Sequence, residues 1–281
     1  MERLEKRMHA PRYPFTVRLV GFGPAECAQL DKLLAQAPRS GPSYFCLHDD
    51  SLQEPDLYIA AGDSPAALAR LRCLPPGALQ PTLVIGGHGA SCHRTLPRPV
   101  DAAHLHDALA DLLDARVQTM AVSRARGERS VPERRRRPRL GPDTEAPAHY
   151  IQMRHGPHDG AVLIIDKGGA FRDHVAQVVG TQARPVEWTD SGRAALRLCD
   201  ETAVSLVMIN TAAPGIEPYD LCSKIKSQEG AGRTAVLFLV GQSFKYDSLR
   251  ARDAGVRGLL DKPVADRHIV ATFQKLLALP G

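Results

Sequence analysis

No run of about 18 apolar residues occurs in this 281-residue chain, so no membrane-spanning helix is expected. The opening Met1-Glu-Arg-Leu-Glu-Lys-Arg-Met8 lacks the apolar stretch of a secretory signal. Cysteine is sparse and unpaired: positions 27, 46, 73, 92, 199 and 222 form no C-x-x-C motif. That pattern fits reduced, partly buried thiols in a cytoplasmic protein. Both phosphate-cradling signatures, G-x-G-x-x-G and G-x-x-x-x-G-K-[ST], are absent, and Gly21-Phe-Gly23-Pro24 alone is a weak substitute. No Ser-His-Asp or Cys-His arrangement has sequence support, so neither an enzyme nor a cofactor is expected. His88, Cys92, His93, His104 and His106 lack the paired spacing of a zinc site. They read as surface or half-buried side chains, and no metal is expected.

What is present suffices for two domains. Apolar residues make up 43% of the chain, enough for packed cores at this length. The formal charge of +5 is unevenly placed. Between Arg124 and Arg139, eight arginines face only Glu128 and Glu133, a net of +6 that leaves the remainder at −1. The surrounding stretch, 117–158, is rich in Arg, Pro and Gly with little apolar periodicity. It reads as a flexible linker, helical near Arg116–Arg126 as an extension of the preceding element. Arg134, Arg135, Arg136 and Arg137 could contact a polyanion. The run has no interleaved aromatics and no recognition helix, so a solvated linker is the plainer reading.

After the linker, apolar runs alternate with helical patterns. Ala161-Val-Leu-Ile-Ile165, Val204-Ser-Leu-Val-Met-Ile209 and Ala235-Val-Leu-Phe-Leu-Val240 are near-continuous apolar segments, as strands covered by helices on both faces must be. Helix-length segments follow at Phe171–Val179, Gly192–Cys199, Tyr219–Ser227 and Asp247–Ala254. Ile269, Val270, Phe273, Leu276 and Leu277 then mark one face of a closing helix. Five βα units make a doubly wound sheet of flavodoxin-like order.

The N-terminal half repeats the plan more weakly. Strands are expected at Val17–Val20, Asp56–Ala61 and Thr82–Ile85, and helices at Cys27–Ala35, Pro65–Leu71 and Ala103–Leu113. Leu96-Pro-Arg-Pro-Val-Asp101 stands where the other half has Leu260-Asp-Lys-Pro-Val-Ala265. The short interval between Gly86 and Leu96 leaves the fourth helix shortened or missing. The predicted organisation is an N-terminal tail (1–14), a decayed domain (15–116), the linker (117–158) and a second domain (159–281), an internal duplication.

The stretch Asp253-Ala-Gly-Val-Arg-Gly-Leu-Leu-Asp-Lys262-Pro263-Val264 resembles the last third of a two-component receiver domain, the CheY-like fold. The resemblance covers roughly 160–278 and, more faintly, 15–113. It implies a phosphoryl-transfer site with two acidic residues after the first strand, an acceptor aspartate, a hydroxyl residue and a lysine before a proline, assembled around Mg²⁺. At these positions the second half has Asp166, Lys167, Asn210, Val240 and Lys262. Only Asp166 and Lys262 match. The first half has Gly21, Phe22, Ala61, Gly86 and Arg98, and only Arg98-Pro99 echoes the pattern.

An amide at 210 is a poor nucleophile, and Lys167 places positive charge where the metal would lie. Asn210→Asp alone is therefore expected not to restore metal binding. Asp166 and Lys262 are expected either to form a plain ion pair or, with Asn210, to line a ligand pocket, and Lys167 is expected to act as a built-in cation that shares the pocket with Lys262 and holds the loops in one conformation. The resemblance implies a bacterial signalling protein, a tandem of non-phosphorylatable pseudo-receivers acting through protein–protein interaction, self-association included. A face carrying Arg250, Arg252, Asp253, Arg257 and Asp266 is the expected docking surface, and no output module is expected. Alternatives are a nucleic-acid-binding regulator using the basic linker and a small-ligand sensor using the vacated pocket.

Overall fold

The computed structural model describes residues 14–36, 41–73, 81–87, 93–125, 160–180, 184–228 and 234–277. The chain divides into two compact units, Met1–Asp49 with Glu54–Arg137, and Asp50–Gln53 with Pro138–Gly281.

In the first unit, β1 (Phe15–Val20), α1 (Pro24–Ala35), β2 (Tyr44–Cys46), β3 (Leu57–Ala61), α2 (Pro65–Arg72), β4 (Thr82–Ile85), β5 (Arg94–Leu96) and α3 (Ala102–Ala125) follow one another. The parallel sheet runs β2-β1-β3-β4-β5. Alternate strand residues feed opposite faces. Val17, Leu57, Ile59, Leu83 and Ile85 meet Leu30 and Leu34 of α1 and Leu105, Leu109 and Leu113 of α3. The other face, with Val20, Tyr58, Ala60 and Val84, packs against Ala67 and Leu71 of α2. Among the described residues no helix joins β4 to β5, as the short interval predicted. Residues 47–56 between β2 and β3 also lack a helix, which the sequence did not reveal. Strand β5 ends at Leu96, where the stretch set opposite Leu260–Ala265 begins. Helix α3 runs past the expected domain limit at 116 to Ala125, so the start of the anticipated linker is helical, as the Arg116–Arg126 reading held. It is tied down at Arg116, whose Nη1 lies 2.8 Å from Oδ1 of the buried Asp56.

The second unit contains β6 (Ala161–Ile165), α4 (Ala170–Val179), β7 (Val186–Thr189), α5 (Gly192–Glu201), β8 (Val204–Asn210), α6 (Pro218–Ser227), β9 (Ala235–Val240), α7 (Ser248–Asp253), β10 (Gly258–Asp261) and α8 (Asp266–Leu277). Its parallel sheet has the order β10-β9-β8-β6-β7, the same doubly wound arrangement. Leu163, Ile165, Val207, Ile209, Phe238 and Val240 face α5, α6 and α7. Val162, Ile164, Leu206, Met208, Leu237 and Leu239 face Val175 of α4 and Ile269 and Phe273 of α8. Central strand β8 is buried along all seven residues, which explains its unbroken apolar sequence. Both Arg98–Pro99 and Lys262–Pro263 are cis.

Candidate functional site

In a parallel α/β sheet, side chains able to meet a ligand gather beyond the carboxyl ends of the strands. In the second unit that rim carries Asp166 after β6, Asn210 at the end of β8, Val240 at the end of β9 and Lys262 after β10. Strand pairing brings Asp166 and Asn210 together. The Asn210 amide Nδ2 donates to Asp166 Oδ1 at 2.6 Å, and the Lys167 backbone N–H donates to the same oxygen at 2.7 Å. Asn210 Oδ1 accepts from the Ala212 backbone N–H at 3.1 Å. The two ends of the amide thus have complementary partners, which fixes its orientation. Trp188 on β7 donates its indole N–H to the Asp166 carbonyl at 3.1 Å, pinning the backbone that presents the carboxylate.

This arrangement corrects two expectations. The ion pairs of this unit include Arg172–Asp173, His174–Asp266, Arg197–Glu201, Lys224–Asp220 and Arg250–Glu217. Asp166 pairs with neither Lys262 nor Lys167; its Oδ1 accepts from the Asn210 amide instead. The Lys167 side chain is exposed and Lys262 half-buried; only the Lys167 backbone serves the site. Val240 is 1% exposed and part of the core. The Mg²⁺ that a receiver site implies does not fit these residues, since a single carboxylate faces an amide N–H rather than a second oxygen donor. Among the described residues no group of three or more His, Cys, Asp or Glu could hold a metal ion.

In the first unit the corresponding rim is filled. Arg98 lies between two carboxylates: Glu26, which its Nη1 contacts directly, and Asp63, whose Oδ2 lies 3.2 Å from its Nε. Its guanidinium also covers the Phe22 ring, 5.8 Å from the centroid. Arg98 holds the exposed Glu26 carboxyl below its usual range, helped by the Gly23 backbone N–H. That N–H donates to Glu26 Oε2 at 3.2 Å, so the positive end of α1 is already neutralised by its own chain. The Gly21–Gly23 turn therefore offers no open anion site. Around it the backbone closes in. A Cβ on Gly62 would lie 2.2 Å from the Gly86 carbonyl oxygen, and one on Gly86 (φ +75°) would lie 2.7 Å from Asp63 Oδ2. Only glycine permits that approach. Ala61 is buried at 3% exposure. Glu26 and Asp63 were missed in the sequence; the signal was an arginine at 98 that needed counter-ions.

The remaining candidates separate. His106 is buried, with Nε2 2.9 Å from the Leu33 carbonyl, while exposed His104 pairs with Asp101, which raises its pKa. His88, Cys92 and Arg134 to Arg137 lie outside the described residues. Burial pushes the thiols of Cys199 and Cys222 up to about 11, so both are inert at neutral pH. Arg250, Arg252, Asp253, Arg257 and Asp266 are all exposed. No helix among the described residues is long and apolar enough to cross a membrane.

Comparison with known proteins bears on this geometry. The family model described as "Response regulator receiver domain" matches residues 162–274. The chain is 27% identical over 112 residues to response regulator PleD of Caulobacter vibrioides, covering 40% of this chain and 24% of PleD. It is 34% identical over 108 residues to the virulence sensor protein BvgS of Bordetella bronchiseptica, covering 37% of this chain and 9% of BvgS. The chain thus matches about a quarter of PleD and about a tenth of BvgS. Among solved structures, the chemotaxis response regulator CheY4 of Vibrio cholerae is 20% identical with a TM-score of 0.38, covering 42% of this chain and 98% of that one.

Proposed function

Through residues 162–274 this chain belongs to the response regulator receiver family, and on that premise we propose that it is a signalling adaptor in which neither unit takes a phosphoryl group. The observation that carries the reading is the 2.6 Å hydrogen bond from Asn210 to Asp166. Phosphoryl transfer to a receiver needs a carboxylate nucleophile, a metal bridging to the phosphoryl oxygens and a cationic clamp in one place. Here the acceptor position holds a carboxamide, and its N–H points at Asp166 Oδ1, where a metal would call for an oxygen donor. Lys262 survives as a clamp with nothing to clamp. The first unit supports the same reading, since Arg98 is engaged by both Glu26 and Asp63 where its site would lie.

With the chemistry gone, the function left to such a domain is recognition of other proteins in a bacterial signalling pathway, a second copy of the chain included. The exposed charges of Arg252, Asp253, Arg257 and Asp266 form the docking surface. The test is incubation of the full chain with acetyl phosphate, or with beryllofluoride, in the presence of Mg²⁺. No adduct is expected, and no change in the fluorescence of Trp188, the one tryptophan of the chain. A base-labile phosphate mapped to 200–215 would overturn the reading. A partner that binds the wild-type chain should be lost when Arg252 and Arg257 are both changed to Glu.

A further inference from the structure

Helix α7 presents a physical problem. It has six residues and buries only Ala251, while Leu249 is 70% exposed. So short a helix cannot hold itself. Its position is set instead by α6, through contacts centred on Tyr219. That side chain is 5% exposed. Its hydroxyl accepts the Asp247 backbone N–H at 2.8 Å. Its ring meets Phe238 edge-on at 5.3 Å and stacks with Phe244 at 6.0 Å. The Arg250 guanidinium covers the ring at 4.4 Å and reaches Glu217 at 3.4 Å.

The same residues also cap the two helices. Glu217 accepts from Asp220 N at 2.6 Å at the start of α6. Asp247 accepts from Leu249 N and Arg250 N, at 2.9 and 3.1 Å, at the start of α7. Each helix start is therefore bound to the other by the residues that begin it.

We propose that Tyr219 is the positioning residue for the 241–247 loop and α7, holding that part of the docking face in one arrangement. The signalling meaning of this rests on the adaptor reading above; the clamp itself does not. Val240 and Leu259, 1% and 0% exposed, offer no polar group through which the strand ends could move the loop. Glu217 and Tyr219, by contrast, follow directly on the loop that begins at Asn210. A stacked aromatic, a cation over its face and a hydroxyl accepting a backbone N–H together supply the stability that α7 lacks.

Hydrogen exchange on the full chain, resolved by mass spectrometry into peptides covering 241–253, β6 and β8, tests the proposal. Tyr219→Phe removes only the hydroxyl. Arg250→Gln keeps length but removes the cation. Each should speed exchange in 241–253 by about threefold to tenfold, with β6 and β8 unchanged. The double variant should fall short of the product of the single effects, because the contacts form one unit. Unchanged exchange at 241–253 in both single variants would overturn the clamp. So would equal acceleration in β8, or a fully multiplicative double variant. A response of wild-type exchange to beryllofluoride and Mg²⁺ would instead overturn the non-phosphorylatable reading and leave the clamp standing.

Discussion

Replacing Asn210 by Asp tests the core of the site with one atom. The change puts a carboxylate oxygen where the amide nitrogen now lies 2.6 Å from Asp166 Oδ1. An attraction becomes a repulsion between like charges. Two unit charges about 4 Å apart interact by about 1 kcal/mol in water and about 4 kcal/mol at an effective dielectric of about 20. Position 210 is only 6% exposed, so the upper half of that range applies, about 2–4 kcal/mol. With a urea dependence of about 1–3 kcal/mol/M, the midpoint of the second unit should fall by about 1–2 M at pH 7. Trp188 reports that unit alone and touches the site, which makes its fluorescence the natural probe.

Two further readouts separate charge repulsion from misfolding. In the variant, one carboxyl of the pair is raised above its unfolded value. The loss is therefore absent at acid pH, appears as pH climbs through the ordinary carboxylate range, and is complete above the raised value. Millimolar Mg²⁺ should also restore stability, since two carboxylates can share the ion. This departs from the sequence-based expectation that Lys167 alone would exclude the metal, because the Lys167 side chain is exposed. Adding Lys167→Asp should tighten Mg²⁺ binding further. A variant with wild-type stability at pH 7, insensitive to both acid and Mg²⁺, would refute the Asn210–Asp166 contact.

Asp166→Ala removes the acceptor for both Asn210 and the Lys167 backbone and should cost about 1–3 kcal/mol, whereas Lys167→Met should stay within about 0.5 kcal/mol; equal losses in the urea midpoint would contradict the geometry. Gly62→Ala forces a methyl against the Gly86 carbonyl and should destabilise the first unit by at least about 1–3 kcal/mol, visible as selective proteolysis of that unit while Trp188 fluorescence is unchanged. Arg98→Gln should let the Glu26 carboxyl titrate back towards its usual range in an NMR pH series. In the wild type, the contribution of that pair is present above the ordinary carboxylate range and fades as pH falls through the lowered value.

The parts of the fold that announced themselves were those with one dominant cause. Strands β6, β8 and β9 are buried on both faces, and their apolar runs followed from that alone. The acceptor, hydroxyl and lysine positions were indexed from the loop after Asn210 and the Lys262-Pro263 pair, and Asn210, Val240 and Lys262 stand at the carboxyl ends of β8, β9 and β10. Short edge strands such as β2 and β7 carry too few residues for a period to show. The missing connection between β2 and β3 was hidden for the same reason, since Leu47–Asp56 is polar enough to be a loop or a capped turn. What Asp166 touches could not be read at all. Lys167, Lys262 and Asn210 were all within reach of it along the sequence pattern, and only strand register decides that the amide arrives first. The Tyr219 cluster depends likewise on packing among α6, β9 and α7.

The glycine contact in the first unit decides how its rim can respond to substitution. In the second unit, Asp166 and Asn210 meet side chain to side chain, so an exchange at either position alters the chemistry without requiring the backbone to move. In the first, Gly62 and Gly86 approach so closely that a Cβ on Gly62 would lie 2.2 Å from the Gly86 carbonyl oxygen. Ala61 beside them is 3% exposed, so a longer side chain there would have to find room. A side chain added at Gly62 would first have to push the two loops apart. The rim of the first unit is thus held by backbone against backbone, and that of the second by side chain against side chain.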